Sequence, residues 1–202
     1  MNDEPRTDEA LMLAYRDGDA DAFEALYGRW RGRLYRYLAH QLPGQADEVF
    51  QDVWLRVVGA RKGYEVTARF STWLFRIAHN RLMDHYRGRS RNVVTLYEAG
   101  FVDGSPGDED PAGSLPAPEN ESPPAMLERK ELAGRILAAL ATLPEPQREA
   151  FLLAEEAGMG LEEIAAATGV GRETAKSRLR YAVARLRAAL AGLRDERVPL
   201  DG

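Results

Sequence analysis

The fold is decided by residues 161–193, LEEIAAATGVGRETAKSRLRYAVARLRAALAGL. A short helix is predicted over Leu161–Ala167 and a long helix from Arg172 to Leu193. Between them lies the turn Thr168-Gly169-Val170-Gly171, in which the glycines permit a sharp change of chain direction. Two helices joined by a short glycine-containing turn have the proportions of a helix-turn-helix motif.

The long helix is amphipathic and basic. At 100° per residue its apolar stripe contains Leu179, Ala182, Val183, Leu186, Leu190 and Leu193. The opposite face carries Thr174, Ser177 and Tyr181 along its centre, with Arg178 and Arg185 on one flank and Lys176, Arg180 and Arg187 on the other. Short polar groups between two rows of cations suit a DNA major groove, although the same pattern also fits an ordinary solvated helix face.

The residues before this motif complete a second helical domain, predicted over 122–194. Ser122-Pro123 is a typical helix start, and the helix should end near Ala141, before the breaking pair Leu143-Pro144. Pro146 can then begin a helix over Gln147–Ala157, which Gly158 ends.

An acidic segment separates this domain from the first. The chain of 202 residues has a net charge of −5, and residues 98–121 contain seven acidic residues and no Lys or Arg. Taking those seven charges away leaves +2 for the remainder. Since one third of 98–121 is Gly or Pro, we predict a flexible linker over 93–121. The chain has no cysteine, no long apolar span and no signal peptide, so we expect no disulfide, no membrane insertion and a cytoplasmic location.

The first domain is predicted over 7–92 and is also helical, which makes the whole protein all-α. Its helices should run over Asp8–Arg16, from Asp19 to about His40, through the apolar positions between Val49 and Val58, and from Ser71 through Tyr86. The loop Gly63–Phe70 precedes the last of them. On that last helix Trp73, Arg76, Asn80, Met83 and Arg87 point outward. Such a face suits unpaired bases, but a core role for Trp73 is an equal alternative.

The third helix of this domain has an acidic outer side. It carries Asp47, Glu48, Gln51, Asp52 and an exposed Leu55. An acidic face with one apolar residue can dock a basic partner helix, although such a face is usually only a solvated surface.

Taken together, these segments resemble the extracytoplasmic-function group of bacterial sigma factors. Residues 47–57, DEVFQDVWLRV, are similar to the helix with which that family binds core RNA polymerase. Residues 70–80, FSTWLFRIAHN, are similar to its −10 recognition segment. Residues 143–151, LPEPQREAF, are similar to the start of its −35-binding domain, and residues 174–180, TAKSRLR, to the recognition helix there.

The resemblance implies three sets of contacts and no cofactor or metal. The polymerase clamp helices would contact Glu48, Gln51, Asp52 and Leu55, and the acidic face adds Asp47 to this predicted surface. Melted −10 bases would be held by the loop Gly63–Phe70 and by Asn80, and we add Arg69, Trp73, Arg76 and Arg87 to this predicted surface. The −35 duplex would be read by Lys176, Ser177 and Tyr181, and the polar face of the helix adds Arg172, Thr174, Arg178, Arg180 and Arg185. The chain departs from the family pattern at 173–175 and 181–183, so its −35 preference is not defined by the resemblance.

Two other classes of protein are alternatives. A conventional helix-turn-helix activator would account for residues 144–193 but not for the outward faces of the first domain. An enzyme is disfavoured, because His79 and His85 lie six residues apart on one helix, point about 120° away from each other and cannot share a metal. The chain also lacks a glycine-rich phosphate loop. The sequence leaves open whether an anti-sigma protein regulates the chain.

Overall fold

The computed structural model describes residues 6–99 and 123–191, which are helical and contain no strand. The first domain comprises α1 (Asp8–Arg16), α2 (Ala20–Gln41), α3 (Ala46–Ala60), a 3₁₀ turn (Arg61–Gly63) and α4 (Phe70–Ala99). The second comprises α5 (Pro123–Ala141), α6 (Glu145–Ala157), α7 (Leu161–Thr168) and α8 (Arg172–Leu190). The predicted all-α class with two helical domains is confirmed.

Local sequence signals set the starts of the first two helices. The Thr7 hydroxyl accepts a hydrogen bond from the Ala10 amide at 3.2 Å, and the Asp19 carboxylate accepts one from the Ala22 amide at 3.2 Å. Each cap satisfies an amide that has no partner within the helix. Gly18, with φ of 111°, makes the turn between α1 and α2 in a conformation that other residues rarely adopt.

Aromatic side chains form much of the core of the first domain. Phe75 is fully buried on α4 and packs edge-on against Tyr37 and Trp30 of α2, with ring centroids 5.3 and 6.2 Å apart. On the other side of α2, Tyr27 packs 4.9 Å from Trp54 of α3. Burial of such large apolar surfaces is the main force that holds α2, α3 and α4 together.

The helix-turn-helix motif is present in the second domain as the sequence predicts. Gly158 ends α6 and Gly169 ends α7, both in the left-handed conformation, with φ of 64° and 67°. Buried side chains of α8, among them Ala182 and Leu186, pack against Leu140 and Leu143 at the end of α5. This packing presents the opposite face of α8 to solvent.

The two domains also pack against each other, since α2 and α4 contact α6 and α7. Fully buried residues of both domains, such as Leu38 and Leu153, belong to one continuous apolar cluster. The described part of the protein therefore has a shared core as well as the two cores expected from the sequence.

Several predicted boundaries are corrected by the structure. The fourth helix begins at Phe70 and continues beyond Tyr86 to Ala99, because no proline interrupts it and a single Gly88 is tolerated. The predicted linker therefore begins with helical residues at 93–99, and the rest of it lies outside the described residues. The last helix ends at Leu190, with Ala191 in a turn, before its predicted end at Leu193, which also lies outside the described residues. The helix predicted from Gln147 begins two residues earlier, at Glu145, and the short helix predicted to end at Ala167 includes Thr168.

In residues 6–99 and 123–191 no helix is both long and apolar enough to cross a membrane.

Candidate polymerase and nucleic-acid interfaces

The outer face of α3 is exposed as predicted, with one exception. Asp47, Glu48 and Gln51 are exposed, and Leu55 has 67% of its surface open to solvent. Asp52 is half-buried and forms an ion pair with Arg81 of α4. Leu55 and the first-turn carboxylates are thus available to a partner, whereas Asp52 already links α3 to α4.

The loop before α4 lines an open cleft. Tyr64 at its start is buried, and burial raises the pKa of that phenol to about 12. Val66, Thr67 and Ala68 line a cleft of about 1120 Å³ together with Arg29, Trp30 and Arg33 of α2. The Arg33 guanidinium lies 5.4 Å from the centre of the Trp30 ring. Trp30 is itself buried, its indole nitrogen donates to Asp8, and Arg29 pairs with the same carboxylate. The exposed Arg33 gives the cleft a cation suited to a phosphate, and no pattern in the sequence indicated this contribution from α2.

The predicted −10 residues do not form one pocket. Arg69 lines the cleft at the start of α4. Asn80 lies ten residues after Phe70, the first residue of that helix, and this separation corresponds to about 15 Å along the helix axis. Arg76 and Asn80 are exposed. Arg87 is also exposed and forms an ion pair with Asp84 at 3.1 Å. The predicted surface is therefore an extended track along the loop and α4.

Trp73 serves the core as well as the surface. Its ring packs 5.1 Å from Tyr64 and 5.9 Å from Phe70, and the residue is only partly exposed. The core role that the sequence allowed for Trp73 is therefore present, whereas its contact with unpaired bases stays a prediction. The indole holds Tyr64 of the loop against α4, and the residue remains partly exposed.

The outer face of α8 carries the predicted mixture of polar and cationic side chains. Tyr181 is 51% exposed, and the Arg180 guanidinium lies 4.9 Å from its ring centre. The Ser177 hydroxyl donates to the Thr174 carbonyl oxygen at 2.9 Å. Arg172 at the start of the helix pairs with Glu162 of α7 at 2.5 Å. The remaining predicted residues are the exposed Lys176 and Arg185 and the half-buried Arg178.

Three residues that the sequence analysis did not select have specific roles in the structure. Arg81 pairs with Asp52, and Arg36 pairs with Glu156 of the second domain. The Thr72 hydroxyl donates to the Glu163 carboxylate at 2.5 Å. Periodicity places such polar residues on outer faces but cannot show which residue of another helix they meet.

Comparisons with known proteins agree with this architecture. The family model for sigma-70 region 2 matches residues 22–92, and the model for sigma-70 region 4 matches residues 133–186. The chain is 32% identical over 187 residues to the RNA polymerase sigma factor CarQ of Myxococcus xanthus, covering 92% of this chain and 98% of CarQ. It is 28% identical over 182 residues to the ECF RNA polymerase sigma-E factor of Escherichia coli strain K12, covering 87% and 90%.

Two solved structures share the fold. The sigma factor RpoE in complex with the anti-sigma factor NepR, from Bartonella quintana, superposes with a TM-score of 0.64 at 23% identity, covering 85% of this chain and 98% of RpoE. CnrH in complex with the cytosolic domain of CnrY superposes with a TM-score of 0.60 at 24% identity, covering 93% and 99%.

The helical domains and these matches define a bacterial sigma factor, the class of protein that directs promoter-specific initiation of transcription. Within that class the chain belongs to the extracytoplasmic-function group.

Proposed function

We propose that this protein is a non-enzymatic cytoplasmic initiation subunit that uses three separate surfaces. Core polymerase binds the outer face of α3, −35 duplex DNA binds α8, and melted −10 bases bind along the cleft and α4. The observation that supports this division is the exposure of three surfaces of different chemistry on one helical scaffold. An activator that binds only duplex DNA would leave the surfaces of the first domain without a role.

Run-off transcription from a genomic promoter pool tests this proposal. We expect the protein and core polymerase together to initiate at a discrete set of promoters, and neither to do so alone. Specific duplex binding by the isolated protein, without initiation in the presence of core polymerase, would favour the activator. An anti-sigma protein is proposed as a regulator, by analogy with the complexes of RpoE with NepR and of CnrH with CnrY.

Leu55→Ala should weaken binding to core polymerase about tenfold while leaving the fold unchanged. Leu55 is exposed, so its truncation costs little in the free protein, whereas an apolar residue at the centre of an interface contributes about 1–2 kcal/mol. Binding to labelled core polymerase measures the effect. Val58→Ala, on the same helix and 36% exposed, is the matched control. Equal affinity of the Leu55 variant and the wild type would move the docking surface away from Leu55.

Asp52→Arg should also weaken core binding, because it reverses a charge on the same face. The ion pair between Asp52 and Arg81 adds a second effect, since the new cation would lie beside Arg81 and loosen α3 from α4. Thermal unfolding of this variant must therefore accompany the binding measurement. A loss of binding with an unchanged melting temperature would support docking at Asp52.

Substitutions on α8 should separate into two classes. Arg185→Ala and Arg187→Ala remove exposed cations, so they should weaken all duplexes similarly and flatten the salt dependence of binding. The Ser177→Ala/Tyr181→Ala variant should instead change the preferred −35 sequence. Duplex binding at a series of salt concentrations measures the first effect, and a promoter-library selection measures the second. An unchanged −35 preference in the double variant would assign recognition to other residues.

A further inference from the structure

The N-terminal turn of α4 holds a carboxylate that belongs to the other domain. Arg69 donates to Glu163 of α7 through two nitrogens, and the same guanidinium donates to the Gly158 carbonyl oxygen at 2.8 Å. The Thr72 hydroxyl donates to Glu163 Oε1 at 2.5 Å. The Glu163 side chain of the second domain therefore accepts the hydrogen bonds of Arg69 and Thr72, which lie at the start of the proposed −10 surface.

The Glu163 carboxylate is held as an anion. Partial burial acts to raise its pKa, but hydrogen bonds from Arg69, Thr72 and the Gly160 amide outweigh burial and bring the pKa down to about 2. Since the ordinary value is 4.5, Glu163 is ionised throughout the neutral range, and its stabilising effect is lost only as the pH falls from about 4.5 towards 2. A guanidinium, a hydroxyl and the N-terminal turn of a helix form the kind of environment that proteins use to bind phosphate.

Glu163 is one member of an acidic row at seven-residue intervals, formed by Glu149, Glu156 and Glu163. Glu156 accepts two hydrogen bonds from Arg36 of α2, at 3.0 and 2.8 Å. Glu149 is buried, 2.5 Å from His79 Nδ1 of α4 and 3.3 Å from the Tyr37 hydroxyl. Each member of the acidic row therefore meets a basic side chain of the first domain.

This packed arrangement brings the two proposed DNA-binding surfaces close together. Arg172, at the start of α8, pairs with Glu162, and the adjacent Glu163 pairs with Arg69. The −10 and −35 elements are named for positions about 25 base pairs apart, which is about 85 Å of duplex. In the packed arrangement the two surfaces meet at the adjacent residues Glu162 and Glu163, so they lie much closer together than 85 Å. The packed protein therefore cannot bind both elements of one promoter at once.

We propose that Arg69 and Thr72 form a phosphate subsite for the −10 strand, and that Glu163 occupies this subsite in the free protein. The inference rests on the proposed function of the first domain and adds a regulatory role for the second. The packed domains block one another, and separating them frees the subsite. Only the separated form can bind single-stranded DNA at this subsite. The apparent affinity of the protein for that DNA is therefore its intrinsic affinity multiplied by the fraction of protein in the separated form.

The first test measures binding of a fluorescent random-sequence single-stranded DNA of about 12 nucleotides to the full chain without polymerase. Glu163→Gln should bind this DNA about tenfold more tightly than wild type, because the competing anion is lost. The matched control is Glu162→Gln, which makes the same change of charge at a residue paired within its own domain. We expect this control to bind like the wild type.

The same assay locates the subsite. Adding Thr72→Val to Glu163→Gln should abolish most of the gain, because the hydroxyl donor is removed. Equal binding by wild type and Glu163→Gln, equal gains from both glutamine variants, or no binding by any of the proteins would overturn the proposal.

The second test measures separation of the domains directly. The chain has no cysteine, so Glu24→Cys on α2 and Ala188→Cys on α8, both exposed, provide a unique pair of spin-label sites. Wild type should give one short distance. Arg36→Glu and Glu156→Arg should each lengthen it, and combining the two reversals should restore it, because the ion pair is re-formed with opposite polarity. A broad distribution of long distances in the wild type would overturn the proposal.

Transcription separates this proposal from the proposed function. At saturating protein, wild type and Arg36→Glu should both support run-off transcription with core polymerase, since packing affects only the competent fraction. Loss of all transcription with wild type would contradict the proposed function. Normal transcription together with an unresponsive interdomain distance would contradict only the proposed occupation of the phosphate subsite.

Discussion

Asn80→Ala should reduce open-complex formation about tenfold or more and relax the −10 preference, while the protein remains folded and bound to polymerase. Asn80 is exposed on α4, so its truncation leaves no cavity. Flipping a base costs a few kcal/mol in lost pairing and stacking. A pair of hydrogen bonds to the edge of that base is worth about 1–3 kcal/mol, which is enough to alter a near-balanced opening reaction.

Permanganate footprinting of thymines near the start site measures this effect on duplex and premelted templates. On a template with a mismatched −10 bubble, most of the defect in Asn80→Ala should disappear, because opening no longer requires base capture. The altered −10 preference should remain, since the base contact is still missing. Normal opening of duplex promoters by the variant, with unchanged preference, would exclude Asn80 as a base-recognition residue.

Phe75→Ala should destabilise the first domain by about 3–5 kcal/mol, a large part of the stability of a typical domain. Phe75 is fully buried, and its edge contacts with Tyr37 and Trp30 connect α4 to α2. Truncation loses the transfer free energy of the ring and leaves a cavity between the two helices. Urea denaturation followed by circular dichroism measures the change.

The matched control for this prediction is Phe75→Leu, which retains most of the side-chain volume. It should cost markedly less than alanine if the cavity dominates the effect. Equal losses from the two variants would instead assign the effect to the specific aromatic contacts. A loss below 1 kcal/mol in Phe75→Ala would contradict the packing described for α2 and α4.

The sequence predicts the helix-turn-helix almost completely, because its signals are local. Gly169 ends α7 and Arg172 begins α8, and Tyr181 and Arg185 lie on the outer face as the periodicity indicates. The end of α4 is predicted poorly. The apolar stripe fades after Tyr86, but the helix continues to Ala99 because nothing in those residues stops it.

Contacts between distant polar residues could not be predicted. The pattern places Asp52 and His79 on helices, but Asp52 meets Arg81 and His79 meets Glu149 of the second domain. A charged residue on a helix is ordinarily solvated, and its burial depends on which helix packs over it. The same reasoning explains why the sequence predicted a flexible linker between two domains but not the packing of those domains against each other, which the distance measurements above test.

The placement of the aromatic residues gives the protein a spectroscopic asymmetry. Its three tryptophans, Trp30, Trp54 and Trp73, all lie in the first domain. Indole emission therefore reports mainly on that domain and on its packing against the second, whereas the far-ultraviolet circular dichroism signal arises from the helices of both. A midpoint difference between the two signals would reveal how independently the domains unfold, without any label. Trp73 lies against Tyr64 beside the cleft, so its emission should also respond when DNA bases approach.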